Sequence, residues 1–175
     1  MIRSILLQRE VIGSVVNCPH QKCMQRAIAI ANQTSLIDKA GGPFGCVIAK
    51  SDEIIAEGFN RVIADQDPTS HGEMNAIRLA CEKLGTHDLS GCVLYTTGEP
   101  CPMCYAACCW ARIDLIYYAS TYADANKYGD FDDQKIFDSL QKPIEMREIK
   151  SKQLMRNEML ELWQEFSKLP EKPTY

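Results

Sequence analysis

The chain has 175 residues, a length that favours one domain with a core of its own. Hydrophobic residues make up 46% and charged residues 24%, the balance of a soluble globular protein, and no apolar run approaches the roughly 20 residues that span a bilayer. The net charge of −4, with Lys and Arg scattered, argues against a grip on a nucleic-acid backbone and points toward a small-molecule substrate.

In chain order, residues 1–21 read as an extension before a domain over 22–175. Gln8, Arg9 and Glu10 interrupt the short apolar start, so no secretion signal is expected. A helix is expected over 22–37, with Met24, Ala27, Ile28 and Ala31 on one face, broken by Gly41-Gly42-Pro43-Phe44-Gly45. Strands are expected over 46–50 and 54–59, around the polar turn Ser51-Asp52-Glu53. After the turn at 67–70, Met74, Ile77, Ala80, Cys81 and Leu84 recur at helical spacing, and Gly85 ends that helix. A strand over 92–97 leads to a turn with Pro100 and Pro102, then a helix through about residue 112. Further strands are expected over 113–119 and 144–149, and a helix carrying Met155, Met159, Leu162, Trp163 and Phe166 closes the chain. This order predicts an α/β fold with helices on both faces of a mixed sheet.

Nine cysteines cannot all pair internally, and with no export signal a reduced, cytoplasmic setting is expected. Cysteines there are metal ligands, nucleophiles or small buried hydrophobes. Two motifs stand out, His71-Gly72-Glu73 and Pro100-Cys101-Pro102-Met103-Cys104, each where a turn becomes a helix. The C-x-x-C spacing lets Cys101 and Cys104 reach one zinc ion, His71 is the third protein ligand, and a catalytic site keeps its fourth position for water. Zinc brings the pKa of such a water toward neutrality, and Glu73 is close in sequence to act first as base and then as acid. A closed structural site would need a fourth ligand. Cys108 is the competitor, but it sits one helical turn beyond Cys104 and reads better as packing. Cys18, His20 and Cys23 read as part of the extension rather than as a second site.

The pairing of His-x-Glu with Pro-Cys-x-x-Cys resembles the cytidine deaminase-like zinc deaminases. Within that superfamily the chain is most similar to bacterial guanine deaminases, from about Met24 to Tyr175. The likeness runs through Gly41-Gly42-Pro43-Phe44-Gly45, Asn60, Asp67-Pro68-Thr69, Glu99-Pro100-Cys101, Trp110-Ala111-Arg112, Phe131-Asp132-Asp133 and Tyr175. It implies a three-layer α/β/α sandwich with a mixed five-stranded sheet, a Zn2+ cofactor, and hydrolysis of guanine to xanthine and ammonia. It also implies a homodimer in which residues 150–175 cross to the partner. By the same resemblance Asn60 and the Gly72 backbone hold the base, Phe44 and Trp110 line the pocket, and Asp133 and Tyr175 assist recognition or proton transfer. Two positions depart from the family pattern: Gly72 stands where His-Ala-Glu is usual, and Gly98 where Cys commonly precedes Glu-Pro-Cys. Cytosine, isocytosine or deoxycytidylate are therefore alternative substrates, and a tRNA adenosine deaminase shares the metal motifs. A zinc-stabilised interaction module is the non-enzymatic alternative.

Overall fold

The computed structural model describes residues 19–174. Helix α1 (Pro19–Asn32) starts three residues earlier than expected and passes into a wider π-helical turn, Gln33–Ile37. Its buried face is Cys23, Ala27, Ile30 and Ala31, whereas Ile28 faces outward. Strands β1 (Gly45–Lys50) and β2 (Glu53–Phe59) form a hairpin, followed by a short helix α2 (Val62–Asp65) and by α3 (Gly72–Leu84). Then come β3 (Cys92–Gly98), α4 (Pro102–Trp110) and β4 (Leu115–Ser120). The remaining helices are α5 (Tyr122–Gly129), α6 (Asp133–Gln141) and α7 (Arg156–Ser167). No helix among the described residues is long and apolar enough to cross a membrane.

The sheet is mixed, in the order β2-β1-β3-β4, with β1 antiparallel to both β2 and β3, and β3 parallel to β4. Strand β1 is central, and its alternating side chains feed two cores. Val47 and Ala49 join Tyr95 and the α1 residues Cys23, Ala27 and Ile30. Cys46 and Ile48 join Leu94, Cys92, Cys108 and the α3 residues Ala76, Ile77 and Ala80. Helices thus cover both faces. A Cβ on Gly58 would lie 2.3 Å from the Gly72 carbonyl oxygen and 2.4 Å from Ala76 N, so only glycine lets α3 lie this close on β2.

The sheet has four strands among the described residues, not five. Residues 144–149, expected as the last strand, form a 3-10 turn (Ile144–Met146), in which Met146 N–H bonds the Pro143 carbonyl, and then irregular chain. Ile144, Met146 and Ile149 are all exposed, so no packed face rewards the alternating pattern, and an unpaired strand has no ladder to hold it.

The register sets where the site falls. Gly45 pairs with Phe59, and Cys46 pairs with Thr96, so the start of β1 and the ends of β2 and β3 meet at one edge of the sheet. Helices α3 and α4 both begin there.

Candidate active site

His71 immediately precedes α3 in extended conformation, and Glu73 lies in the helix's first turn. Cys101 holds the equivalent position before α4, Pro102 starts the helix, and Cys104 follows in the first turn. Two helix N-termini therefore converge, each with a positive dipole end that favours anionic ligands. The Nδ1 of His71 lies 3.6 Å from the Sγ of Cys101 and 3.6 Å from that of Cys104. All three donor atoms fall within 4.8 Å of one another. Zinc bond lengths of about 2.3 Å to sulfur and about 2.0 Å to nitrogen, at a tetrahedral angle, call for a nitrogen–sulfur separation of about 3.6 Å. The donor set fits that ion. No other cluster of this kind occurs among the described residues. Cys108 is buried in the α3/α4 core, and His20 is bonded through Nδ1 to the Tyr95 hydroxyl at 2.6 Å. Cys18 lies outside the described residues.

Glu73 is only 4% exposed, and burial pushes its carboxyl above the usual range. The Thr96 hydroxyl donates to Glu73 Oε1 at 3.1 Å, and Oε2 faces Cys104 Sγ at 3.5 Å. The two cysteines form a coupled pair. The bond with Cys104 holds the Cys101 thiol well below its ordinary value, and the same bond, with burial, raises Cys104. His71 is raised, first by its bond with Cys101.

A cavity of about 300 Å³ opens over this cluster. Its walls include Phe44, Asn60, Val62, Ile63, Phe131 and Asp133, with His71, Glu73 and Cys101 at the base; no Lys or Arg lines it among the described residues. Phe44 and Phe131 meet edge-on, with ring centroids 5.0 Å apart. Asn60 is buried, and its Oδ1 accepts the Val62 N–H at 3.2 Å. Asp132 supplies the side-chain bond that caps α6, to Lys135 N, which leaves Asp133 facing the cavity. Burial and the nearby Cys101 raise the Asp133 carboxyl. A second groove, of about 430 Å³, shares Glu99 but is lined mainly by Tyr105, Tyr118, Tyr122 and Phe137, away from the donor cluster.

The two glycines that depart from the family pattern meet at one residue, Phe44, one at its backbone and one at its ring. A Cβ on Gly72 would lie 2.7 Å from the Phe44 carbonyl oxygen, and one on Gly98 would lie 3.0 Å from the Phe44 ring. Phe44 thus sits in space that both glycines leave open. Trp110 stands apart: it is exposed on α4 and lines a groove with Ile77, Cys81 and His87. Tyr175 lies outside the described residues. Sequence reasoning did not assign Thr96, Phe131 or Ile63 to the site. Thr96 reads as an ordinary β-former, and its only signal is a hydroxyl at an inward strand position.

A zinc cluster beside a buried carboxylate, on two helix starts of a mixed sheet, defines a deaminase class. Residues 18–120 match the cytidine and deoxycytidylate deaminase zinc-binding region. The chain belongs to that family, the zinc-dependent hydrolytic deaminases. It is 42% identical to guanine deaminase from Bacillus subtilis (strain 168) over 89% of this chain and 99% of that protein. The X-ray structure of the Bacillus subtilis enzyme superposes with a TM-score of 0.84, covering 89% of this chain and 98% of that one. A tRNA-specific adenosine deaminase from Aquifex aeolicus (strain VF5) is 35% identical, over 81% of this chain and 90% of that protein. A solved relative in complex with 2,6-diaminopurine is 33% identical at a TM-score of 0.60, covering 69% of this chain and 65% of that one.

Proposed function

We propose that this protein hydrolyses guanine to xanthine and ammonia, with His71, Cys101 and Cys104 as zinc ligands and Glu73 as the acid–base group. The observation that carries the reading is the donor triad, with 3.6 Å separations, beside a buried carboxylate at the base of a cavity. When bound there, zinc supplies Lewis-acid activation of water near neutral pH. Glu73 takes the proton released as water adds to the amino-bearing ring carbon and returns it to the departing amine. The carbon–nitrogen bond breaks, and a carbonyl and ammonia result.

Several features favour a free base. Among the described residues the cavity walls carry carboxylates and no Lys or Arg, which suits a neutral ring and disfavours the phosphate of deoxycytidylate. Asn60 offers both a donor and an acceptor to a heterocycle edge, and Phe44 with Phe131 gives the flat ring an apolar wall. The Gly72 backbone and Asp133 complete the recognition set. The similarity to guanine deaminase covers nearly the whole chain, and to the tRNA enzyme somewhat less.

The same reading assigns a cytoplasmic homodimer in which residues 150–175 cross over, so that Tyr175 reaches the partner's site. In its support, Met159, Leu162 and Trp163 on α7 are exposed, as are Tyr105 and Trp110 on α4. Trp110 then serves at the contact between subunits.

Ammonia release from guanine, cytosine, isocytosine and deoxycytidylate tests the substrate. Guanine is expected to turn over fastest; turnover of a pyrimidine with none of guanine overturns the assignment. Light scattering tests the dimer, and a monomer at micromolar concentration overturns it.

A further inference from the structure

Two adjacent threonines on β3 make contacts that the scheme above leaves unused. Thr96 is fully buried, and its hydroxyl donates to Glu73 Oε1 at 3.1 Å. Thr97 projects from the opposite face of the strand, as successive strand residues must. Its hydroxyl accepts the Gly45 N–H at 3.0 Å and donates to the Pro43 carbonyl at 2.9 Å. These two bonds bracket Phe44. Ser120 Oγ in turn donates to the Thr97 carbonyl at 2.8 Å, tying this point of β3 to the end of β4.

We propose that Thr96 and Thr97 are two positioning residues with separate duties: Thr96 aims the Glu73 carboxylate, and Thr97 holds the loop that presents Phe44 to the base. The inference rests on the deaminase reading. A glutamate has three rotatable side-chain bonds, and proton transfer needs its oxygens within hydrogen-bond reach of two different atoms in turn. The Thr96 hydroxyl holds one oxygen while the other faces the ligand cluster, as its 3.5 Å approach to Cys104 Sγ indicates. Replacing that hydroxyl by a methyl group keeps the shape but leaves a buried carboxylate oxygen without its donor.

Thr97 acts on a different object. The loop carries Gly41, Gly42 and Pro43, and Thr97 is the common partner of the groups on either side of Phe44. Without it Phe44 keeps its own backbone bonds, to the Gly42 carbonyl and from the Asn60 N–H, and its edge-on ring contact with Phe131. An aromatic wall that wanders weakens binding of the ring in the ground state and the transition state alike. That loss appears in KM rather than in kcat.

The test is steady-state kinetics on the zinc-loaded enzyme, with guanine as substrate and zinc content measured for each variant. Thr96→Val is expected to lower kcat about 10- to 100-fold, with KM near wild type and zinc retained. Thr97→Val is expected to raise KM about tenfold while kcat is nearly kept. Thr96→Ser and Thr97→Ser, which keep the hydroxyls, should restore each parameter. If Thr96→Val folds poorly, Thr96→Ala removes the same hydroxyl in a smaller side chain. The proposal is overturned by a wild-type kcat in the hydroxyl-free Thr96 variants, by a wild-type KM in Thr97→Val, by both threonines moving the same parameter, or by serine variants no better than valine. A fall in kcat matched by a fall in zinc content overturns it too. A wild-type protein inactive on every aminated base sinks the deaminase reading and this inference together; an active wild type with an unaffected Thr96→Val sinks this inference alone.

Discussion

Residues 19–120 and 121–174 differ sharply in how they are held. The first region has a sheet with packed helices on both faces, and the proposed zinc ligands and Glu73 lie within it. In the second region no residue is buried, although it contains three helices. It attaches at a few points: the Tyr122 hydroxyl donates to the Pro100 carbonyl, the Tyr122 N–H donates to Glu99 Oε2 at 3.3 Å, and Phe131 meets Phe44. The difference separates chemistry from recognition. The proposed metal and proton machinery stands on a region that buries its own core, whereas Phe131 and Asp133 reach the cavity from one that does not. An amphipathic helix such as α7, with its apolar residues uncovered, gains its stability by packing on something else.

The largest expected effect breaks the chemistry and leaves the first region folded. Glu73→Gln should reduce kcat by about 10²- to 10⁴-fold, with zinc content unchanged. Loss of zinc in that variant would instead make Glu73 a structural part of the metal site, and an unchanged kcat would remove Glu73 from the proton transfer.

The next pair of substitutions measures the contrast directly. Leu94 is fully buried in the sheet, and Leu94→Ala should cost about 2–5 kcal/mol in denaturant unfolding. Leu162 on α7 is 59% exposed, and Leu162→Ala should leave the unfolding of an isolated subunit within about 0.5 kcal/mol. A dimer-dependent loss at Leu162, seen as a concentration-dependent midpoint, would mean that this region's core is completed by a second copy.

Gly72→Ala probes the seam. The added methyl group would lie 2.7 Å from the Phe44 carbonyl oxygen, so the loop must move. A rise in KM of about tenfold is expected, with less change in kcat. Kinetics indistinguishable from wild type would mean that the loop gives way without cost.

The smallest effect concerns the tie between α1 and β2. Arg26 donates Nε and Nη2 to the two carboxylate oxygens of Glu57, each at 2.7 Å. That bond holds the Glu57 carboxyl below its ordinary value of 4.5. A lowered folded-state pKa means that the stabilisation is present above pH 4.5 and fades as the pH falls through the lowered value. Both groups are part-exposed, so solvent screening limits the pair to about 0.2–1 kcal/mol. Arg26→Ala should lower the melting temperature slightly at pH 7 and not at all near pH 2. An equal loss at both pH values would assign the effect to packing of the arginine stem.

Much of this molecule was legible from residue order because its signals are local. The 72–84 helix was anticipated at both ends, since Gly85 and the apolar spacing act within a few turns. The four residues His71, Glu73, Cys101 and Cys104 were legible because their chemistry demands particular types at particular spacings. The expected strand at 144–149 failed for the opposite reason. Its alternation is real, but a strand forms only where a neighbouring edge and a face to bury are available, and neither is local information. The buried face of α1 shifted from Ile28 to Cys23 and Ile30 because the sheet surface, not the helix, chooses which stripe is covered.

Thr96, Thr97 and the cradle around Phe44 belong to the tertiary structure alone. A threonine in a strand carries no mark of whether its hydroxyl meets a carboxylate or a backbone loop, and a glycine does not announce which ring occupies the space it leaves. The sequence by itself determined the metal-binding chemistry, because ligand type and spacing are dictated by the ion. Only the fold decided which groups aim the acid and shape the cavity, because those contacts join residues far apart in the chain, 54 positions between Pro43 and Thr97 and 87 between Phe44 and Phe131. No periodicity reaches that far.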